Sequence, residues 1–154
     1  MHLRKWVGLA GWLGLCFGVA FGAGQFEPGE WYAQLQRPTW APPNWLFGPV
    51  WTALYATMAV AAWLVWKENG FSGARGPLGL FGVQLGLNFT WSWLFFGLQE
   101  PGLALAAIVA LWVAILATVV VFWRVRPLSG GLLVPYLLWV TFAAALNFEF
   151  WRLN

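Results

Sequence analysis

Apolar residues in this chain run in long unbroken blocks, and charges occur only in the gaps between them. Residues 6–26, 38–66, 76–99, 101–123 and 127–148 contain no Asp, Glu, Lys or Arg. None of these blocks alternates with a period of two, so a membrane β-barrel is excluded. A helix needs roughly 20 residues to cross the hydrocarbon core of a bilayer. Backbone groups in lipid must be satisfied within the segment, which leaves helices. The pattern predicts spans at about 6–25, 46–66, 78–98, 103–123 and 131–151. The second is placed late because Pro42-Pro43 must precede it and Pro49 falls in its first turn. The expected fold is an all-α integral membrane protein, a five-transmembrane-helix bundle forming one membrane domain over 1–154.

Composition supports this reading. The 154 residues are 61% hydrophobic and 8% charged, against about 25% charged in a soluble domain. The mean hydropathy is +0.69. There is no Asp, one His (His2) and one Cys (Cys16), which excludes an internal disulfide and a thiolate cage, so no metal is expected. The net charge of +3 comes from a few charges at segment ends. It reads as a topology signal and not as a nucleic-acid footprint. Arg4, Lys5, Lys67, Arg75, Arg124 and Arg126 fall on one side with Glu68. Arg37 and Arg152 fall on the other with Glu27, Glu30, Glu100 and Glu149. In a bacterial inner membrane this places the amino terminus in the cytoplasm. The rule does not extend to an outer membrane, so both locations stay open. The first block follows Arg4-Lys5 but has no small-residue cleavage site, and Leu15 is too bulky for a lipoprotein box ending at Cys16. It is expected to be kept as a span.

Between the first two spans the chain reads WYAQLQRPTWAPPNWLFGPVWTALY. Trp31, Trp40, Trp45 and Trp51 fall within 21 residues, among Pro38, Pro42 and Pro43. A segment this aromatic is costly to leave in water, and its prolines forbid a continuous helix. It is expected to form a stiff lid at the membrane surface, packed over something apolar. Within the third span, Gln84, Asn88, Trp91 and Phe95 share one helical face. Two amides at that depth belong inside the bundle, either as interhelical hydrogen-bond glue or in a pocket. Trp139, Ala143 and Leu146, with Asn147 beside them, form a similar stripe on the fifth span. Gly82 and Gly86 make a small-residue strip on the third span, and Gly14, Gly18 and Gly22 make a longer one on the first. The first-span ladder is expected to pack inside the bundle.

Three blocks carry a family resemblance. The first comprises Trp31-Tyr32, Leu35, Arg37-Pro38, Trp40, Pro42-Pro43, Trp45, Trp51 and Leu54-Tyr55. The second comprises Gln84-Leu85, Leu87-Asn88, Trp91 and Phe95-Phe96-Gly97. The third comprises Pro135-Tyr136-Leu137, Trp139, Phe142-Ala143 and Leu146-Asn147. Together they resemble the signature of the TspO/translocator protein family, also called tryptophan-rich sensory proteins or peripheral benzodiazepine receptors. The resemblance implies a bundle that binds porphyrins (protoporphyrin IX and haem-type tetrapyrroles) and related apolar ligands, usually as a homodimer. It implies a receptor or sensor of tetrapyrroles, with a porphyrin or sterol transporter as the alternative. No cofactor is obligatory on this reading.

The ligand-lining set implied is Trp31, Tyr32, Trp40, Trp51, Tyr55, Gln84, Asn88, Trp91, Trp139, Ala143, Leu146 and Asn147. The family's dimer implies an interface at Gly82 and Gly86. Trp6, Trp63, Trp66, Trp123 and Trp151 keep the ordinary interfacial-belt reading. Some members are linked to light-dependent breakdown of protoporphyrin IX, and Trp51 and Trp139 are the candidate redox residues for it. Hydrolysis is not expected, since no intramembrane carboxylate pair exists. His2 and Cys16 are poorly placed to ligate haem iron. Phe148 stands where animal members carry the Tyr of a proposed cholesterol motif, which weakens the case for sterol binding. Leu103 stands where they often carry a Trp. Five spans with no internal repeat argue against alternating access.

Overall fold

A computed structural model describes residues 2–24 and 30–154. Glu27, counted above with the lid-side charges, and the last residue of the expected first span fall outside the described residues. The elements are α1 (His2–Gly24), α2 (Glu30–Gln34), a 3-10 turn (Asn44–Leu46), α3 (Phe47–Gly73), α4 (Arg75–Ser92), a π-helical turn (Trp93–Gly97), α5 (Pro101–Val125) and α6 (Pro127–Leu153). Among the described residues there is no strand.

Each boundary has a local cause. Pro101 and Pro127 open α5 and α6 at a helix start, where a missing N–H costs nothing. Arg126, just before Pro127, is extended, as a residue preceding proline prefers. Gly70 takes φ +69° near the end of α3 and breaks its regularity there. Gln99 takes φ +56° in the turn before α5.

Four helices are long and apolar enough to cross a membrane, namely α1 from Leu3, α3, α5 and α6. The expected count of five therefore stands at four by length and composition. The remaining long segment, α4, has 18 residues, diluted by Gly76, Gly79, Gly82, Gly86 and the amides of Gln84 and Asn88. The π turn extends it to Gly97. Helix α4 packs against α5, α1 and α3, and α6 packs against α5 and α3.

The core lies among α3, α4, α5 and α6, where Met58, Phe81, Ile108, Leu111, Phe122, Leu133 and Tyr136 are buried. Helix α1 is peripheral, and Leu3, Trp6, Val7, Leu15 and Phe21 are exposed on it. On a membrane protein these are lipid-facing positions. The first-span glycine ladder does not pack inside the bundle as expected. A Cβ on Gly14 or Gly18 would meet nothing, and only Gly22 has a neighbour, Phe89. The close approaches occur at other glycines. A Cβ on Gly8 would fall 2.0 Å from the Trp66 ring, and one on Gly130 would fall 2.8 Å from Trp123 Cα.

At the end opposite the lid, Arg126 pairs with Glu68 at 3.5 Å, and Lys67 lies over the Trp63 ring at 4.6 Å. Trp63 also stacks on Trp6 at 5.7 Å. At the lid end, Arg152 pairs with Glu149. The lid reaches the last helix directly. The Asn154 side chain accepts from Gln36 N at 3.1 Å and donates to Gln36 O at 3.0 Å.

Candidate functional site

Beneath the lid a cavity of about 630 Å³ is lined by α1, α2, α3, α4 with its π turn, and α6. Its walls are mostly aromatic. Trp51 touches four rings at once: Tyr55 at 5.9 Å, Trp91 and Tyr136 at 6.3 Å, and Trp139 edge-on at 6.4 Å. Phe47 meets Trp139 at 5.9 Å, and Phe95 meets Trp91 at 5.9 Å.

Hydrogen bonds between helices hold the walls in register. Tyr55 donates to Asn88 Oδ1 at 2.7 Å, and Asn88 Nδ2 donates to Tyr136 Oη at 2.8 Å. Tyr136 donates to Gln84 Oε1 at 2.7 Å. The amides that make α4 a weak span thus tie it to α3 and α6. A second tie runs from Trp91 Nε1 to Asn147 Oδ1 at 2.9 Å, and from Asn147 Nδ2 to Pro101 O at 2.9 Å. It joins α4, α6 and the start of α5. Leaving such groups unpaired in an apolar interior costs several kcal/mol each, so the chains of bonds fix which faces turn inward.

Nine of the residues expected at the site line this cavity: Tyr32, Trp51, Tyr55, Asn88, Trp91, Trp139, Ala143, Leu146 and Asn147. Three lie off it. Gln84 is buried deeper, against Tyr136 and the Met58 sulfur, where it acts as interhelical glue. Trp31 packs edge-on against Phe95 at 5.7 Å. Trp40 is 46% exposed and rests on Phe142, on the outer side of α6.

Several wall residues were not expected. Helix α1 contributes Phe17, Ala20, Ala23 and Gly24. The i, i+3, i+7 spacing of Phe17, Ala20 and Gly24 was visible in the sequence, but residues as small as Ala20, Ala23 and Gly24 carry no chemical signal. Phe96, Phe150, Trp45, Phe47, Gly48, Thr52 and Ser92 complete the wall.

Tyr32 sits on α2 with only 2% exposure, ringed by Phe47, Phe95, Phe96 and Phe150. Burial pushes its phenol up from its ordinary pKa, and the nearby Arg37 guanidinium partly opposes this. Its hydroxyl and the Trp139 indole N–H are buried without an acceptor among the described residues. No group of three or more His, Cys, Asp or Glu side chains that could hold a metal comes together among the described residues. The candidate dimer glycines Gly82 and Gly86 are exposed on the opposite side of α4, with open space where a Cβ would stand.

Known proteins resemble this chain in sequence. The sequence model of the TspO/MBR family matches residues 8–152. The human (Homo sapiens) "Translocator protein" is 45% identical over 139 residues, covering 87% of this chain and 82% of the relative. "Tryptophan-rich protein TspO" of Archaeoglobus fulgidus is 48% identical over 124 residues, covering 80% of each chain. "Tryptophan-rich sensory protein" of Cereibacter sphaeroides is 38% identical over 149 residues, covering 97% of this chain and 92% of the relative. By this match over nearly its whole length, the chain, with its amide-tied, tryptophan-walled cavity, belongs to the TspO/MBR family of multi-pass integral membrane proteins.

Proposed function

We propose that this protein is a membrane receptor or sensor that binds protoporphyrin IX and related tetrapyrroles in the cavity under the lid. The observation that carries the reading is the wall itself. Trp51, Trp91 and Trp139 surround about 630 Å³ of space, within the range of about 300–1,000 Å³ usual for small-molecule sites. Flat π surfaces favour a flat, polarizable macrocycle. The acceptor-free Tyr32 hydroxyl and Trp139 N–H favour a ligand that brings acceptors, as the carboxylates of a porphyrin do. In the dark, purified protein titrated with protoporphyrin IX should show saturable quenching of tryptophan fluorescence, and Trp51→Phe with Trp139→Phe should weaken it. A linear, non-saturable response would overturn the proposal.

A second reading, light-dependent porphyrin breakdown, uses the same cavity. The edge contact of Trp51 with Trp139 and its contacts with Tyr55 and Tyr136 favour it, because neighbouring rings can pass an electron to a photoexcited porphyrin. Illumination in air that yields a defined product, and yields less of it with Trp51→Phe, would support turnover over binding alone. We also propose a homodimer through Gly82 and Gly86. Their exposed strip faces away from Asn88, so a partner helix can approach there without touching the cavity.

A further inference from the structure

We infer that ligands enter the cavity sideways from the bilayer, through a gap between the end of α1 and the start of α3, and not from water through the lid. The ligand class is therefore membrane-dissolved amphiphiles, with an apolar body and one polar end. This rests on the cavity being a ligand site.

Two independent observations carry the route. The first is where the cavity wall reaches the surface. Among the described residues, Gly24, Trp45, Gly48 and Thr52 are the exposed members of the wall, and all four lie at the junction of α1 with α3. Ala20 and Ala23 continue the same edge. Between Trp45 at the top and Phe17, which meets Tyr55 at 6.5 Å and closes the lower end, the wall residues on this edge are no larger than threonine. A Cβ on Gly24 or Gly48 would meet no atom of the described residues within 4 Å. The Thr52 hydroxyl is turned back on its own helix, donating to Gly48 O at 2.8 Å, so the edge presents methyl groups. From Gly48 to Thr52 is one helical turn, about 6 Å of depth. Trp45, 71% exposed at the top, sits where an interfacial indole belongs. The edge thus runs from headgroup level down into the acyl chains.

The second observation is that the water-facing side is fastened. The lid is held to α6 by the two Gln36–Asn154 hydrogen bonds and by the Trp40–Phe142 contact. Beneath it the Tyr32 ring is packed against Phe47, Phe95, Phe96 and Phe150.

Two measurements test the route on full-length protein in phosphatidylcholine vesicles. In stopped-flow quenching by protoporphyrin IX, Gly48→Leu and Thr52→Leu should narrow the gap. On- and off-rates should then fall together by about tenfold, within the spread of on-rates among variants of one interface. Asn154→Ala, which removes the two Gln36–Asn154 bonds of the lid, should leave both rates as in the parent. The converse pattern, with faster rates in Asn154→Ala and parent rates in the gap variants, overturns the route.

The other measurement does not depend on porphyrin. A nitroxide attached at Thr52→Cys, in a Cys16→Ser background, should be relaxed more by dissolved oxygen than by a water-soluble nickel chelate. The reverse order means that the gap opens to water and overturns the route. Absence of saturable quenching at equilibrium would sink the porphyrin reading alone, and the nitroxide result would still decide the route.

Discussion

The hydrogen bond between Tyr55 and Asn88 should be measurable as a coupling energy. Tyr55→Phe removes one donor and leaves Asn88 Oδ1 short of a partner. Asn88→Leu removes the bonds to both Tyr55 and Tyr136, at 2.7 and 2.8 Å, and leaves the Tyr55 hydroxyl without an acceptor. Interhelical hydrogen bonds in membranes average about 0.6 kcal/mol, with a maximum near 1.7. A buried group left unsatisfied costs about 1–3 kcal/mol. Tyr55→Phe should therefore cost about 1 kcal/mol and Asn88→Leu about 2–3 kcal/mol. The double variant carries no orphaned hydroxyl, so it should cost about 1 kcal/mol less than the sum. Equilibrium unfolding by dodecyl sulfate in mixed micelles, followed by circular dichroism, gives the three free energies. Additivity within about 0.3–0.5 kcal/mol would mean that the two side chains are not bonded, and the wall between α3 and α4 would need another explanation.

Further outcomes are specific to single elements. Gly130→Ala puts a methyl 2.8 Å from the Trp123 backbone, so α5 and α6 must separate, lowering stability by about 1–3 kcal/mol in the same unfolding assay. Gly48→Ala, which meets nothing, is the control and should be near neutral. Replacing Pro42 and Pro43 by Gly frees the unbound lid, so porphyrin affinity by fluorescence titration should fall while the helical circular-dichroism signal is kept. Gly82→Leu with Gly86→Leu should shift cross-linking in membranes toward monomer while porphyrin quenching persists; a dimer that survives places the interface elsewhere.

The helices were legible because lipid leaves a chain few choices, and each of the five charge-free blocks holds one long helix. Ends were less legible. Helix α3 continues past residue 66, because Lys67, Glu68 and Asn69 stay helical at the membrane surface up to the break at Gly70. Charge marks where the bilayer ends, not where the helix does. Site residues with a polar handle or a large ring, such as Asn88, Trp91 and Asn147, were found from helical spacing together with the family resemblance. Ala20, Ala23 and Gly48 were not, since a small residue opening a gap looks the same in sequence as one packing a helix. Gln84 was open in sequence between glue and pocket. Its place depends on Tyr136, one partner on another helix, and no spacing within α4 can reveal that.

The π-helical turn has a consequence for how this cavity can vary. An α-helix advances about 100° per residue, so a face set by Asn88 and Trp91 would next offer Phe95, and Phe96 would swing toward lipid. The wider turn, closed by Leu98 N to Trp93 O at 2.8 Å across five residues, delays that rotation. Trp91 therefore meets Phe95 at 5.9 Å and Phe96 at 6.0 Å together. Such turns amount to one residue inserted into a helix, and they recur at functional sites. Here the inserted residue sets the rotational phase of the cavity's upper wall independently of the lower part of α4. The glycine strip and the amide network can stay fixed while substitutions or shifts in residues 93–97 turn different rings inward. The helix thus has a rigid half that assembles the bundle and an adjustable half that can retune which ligand shapes are accepted.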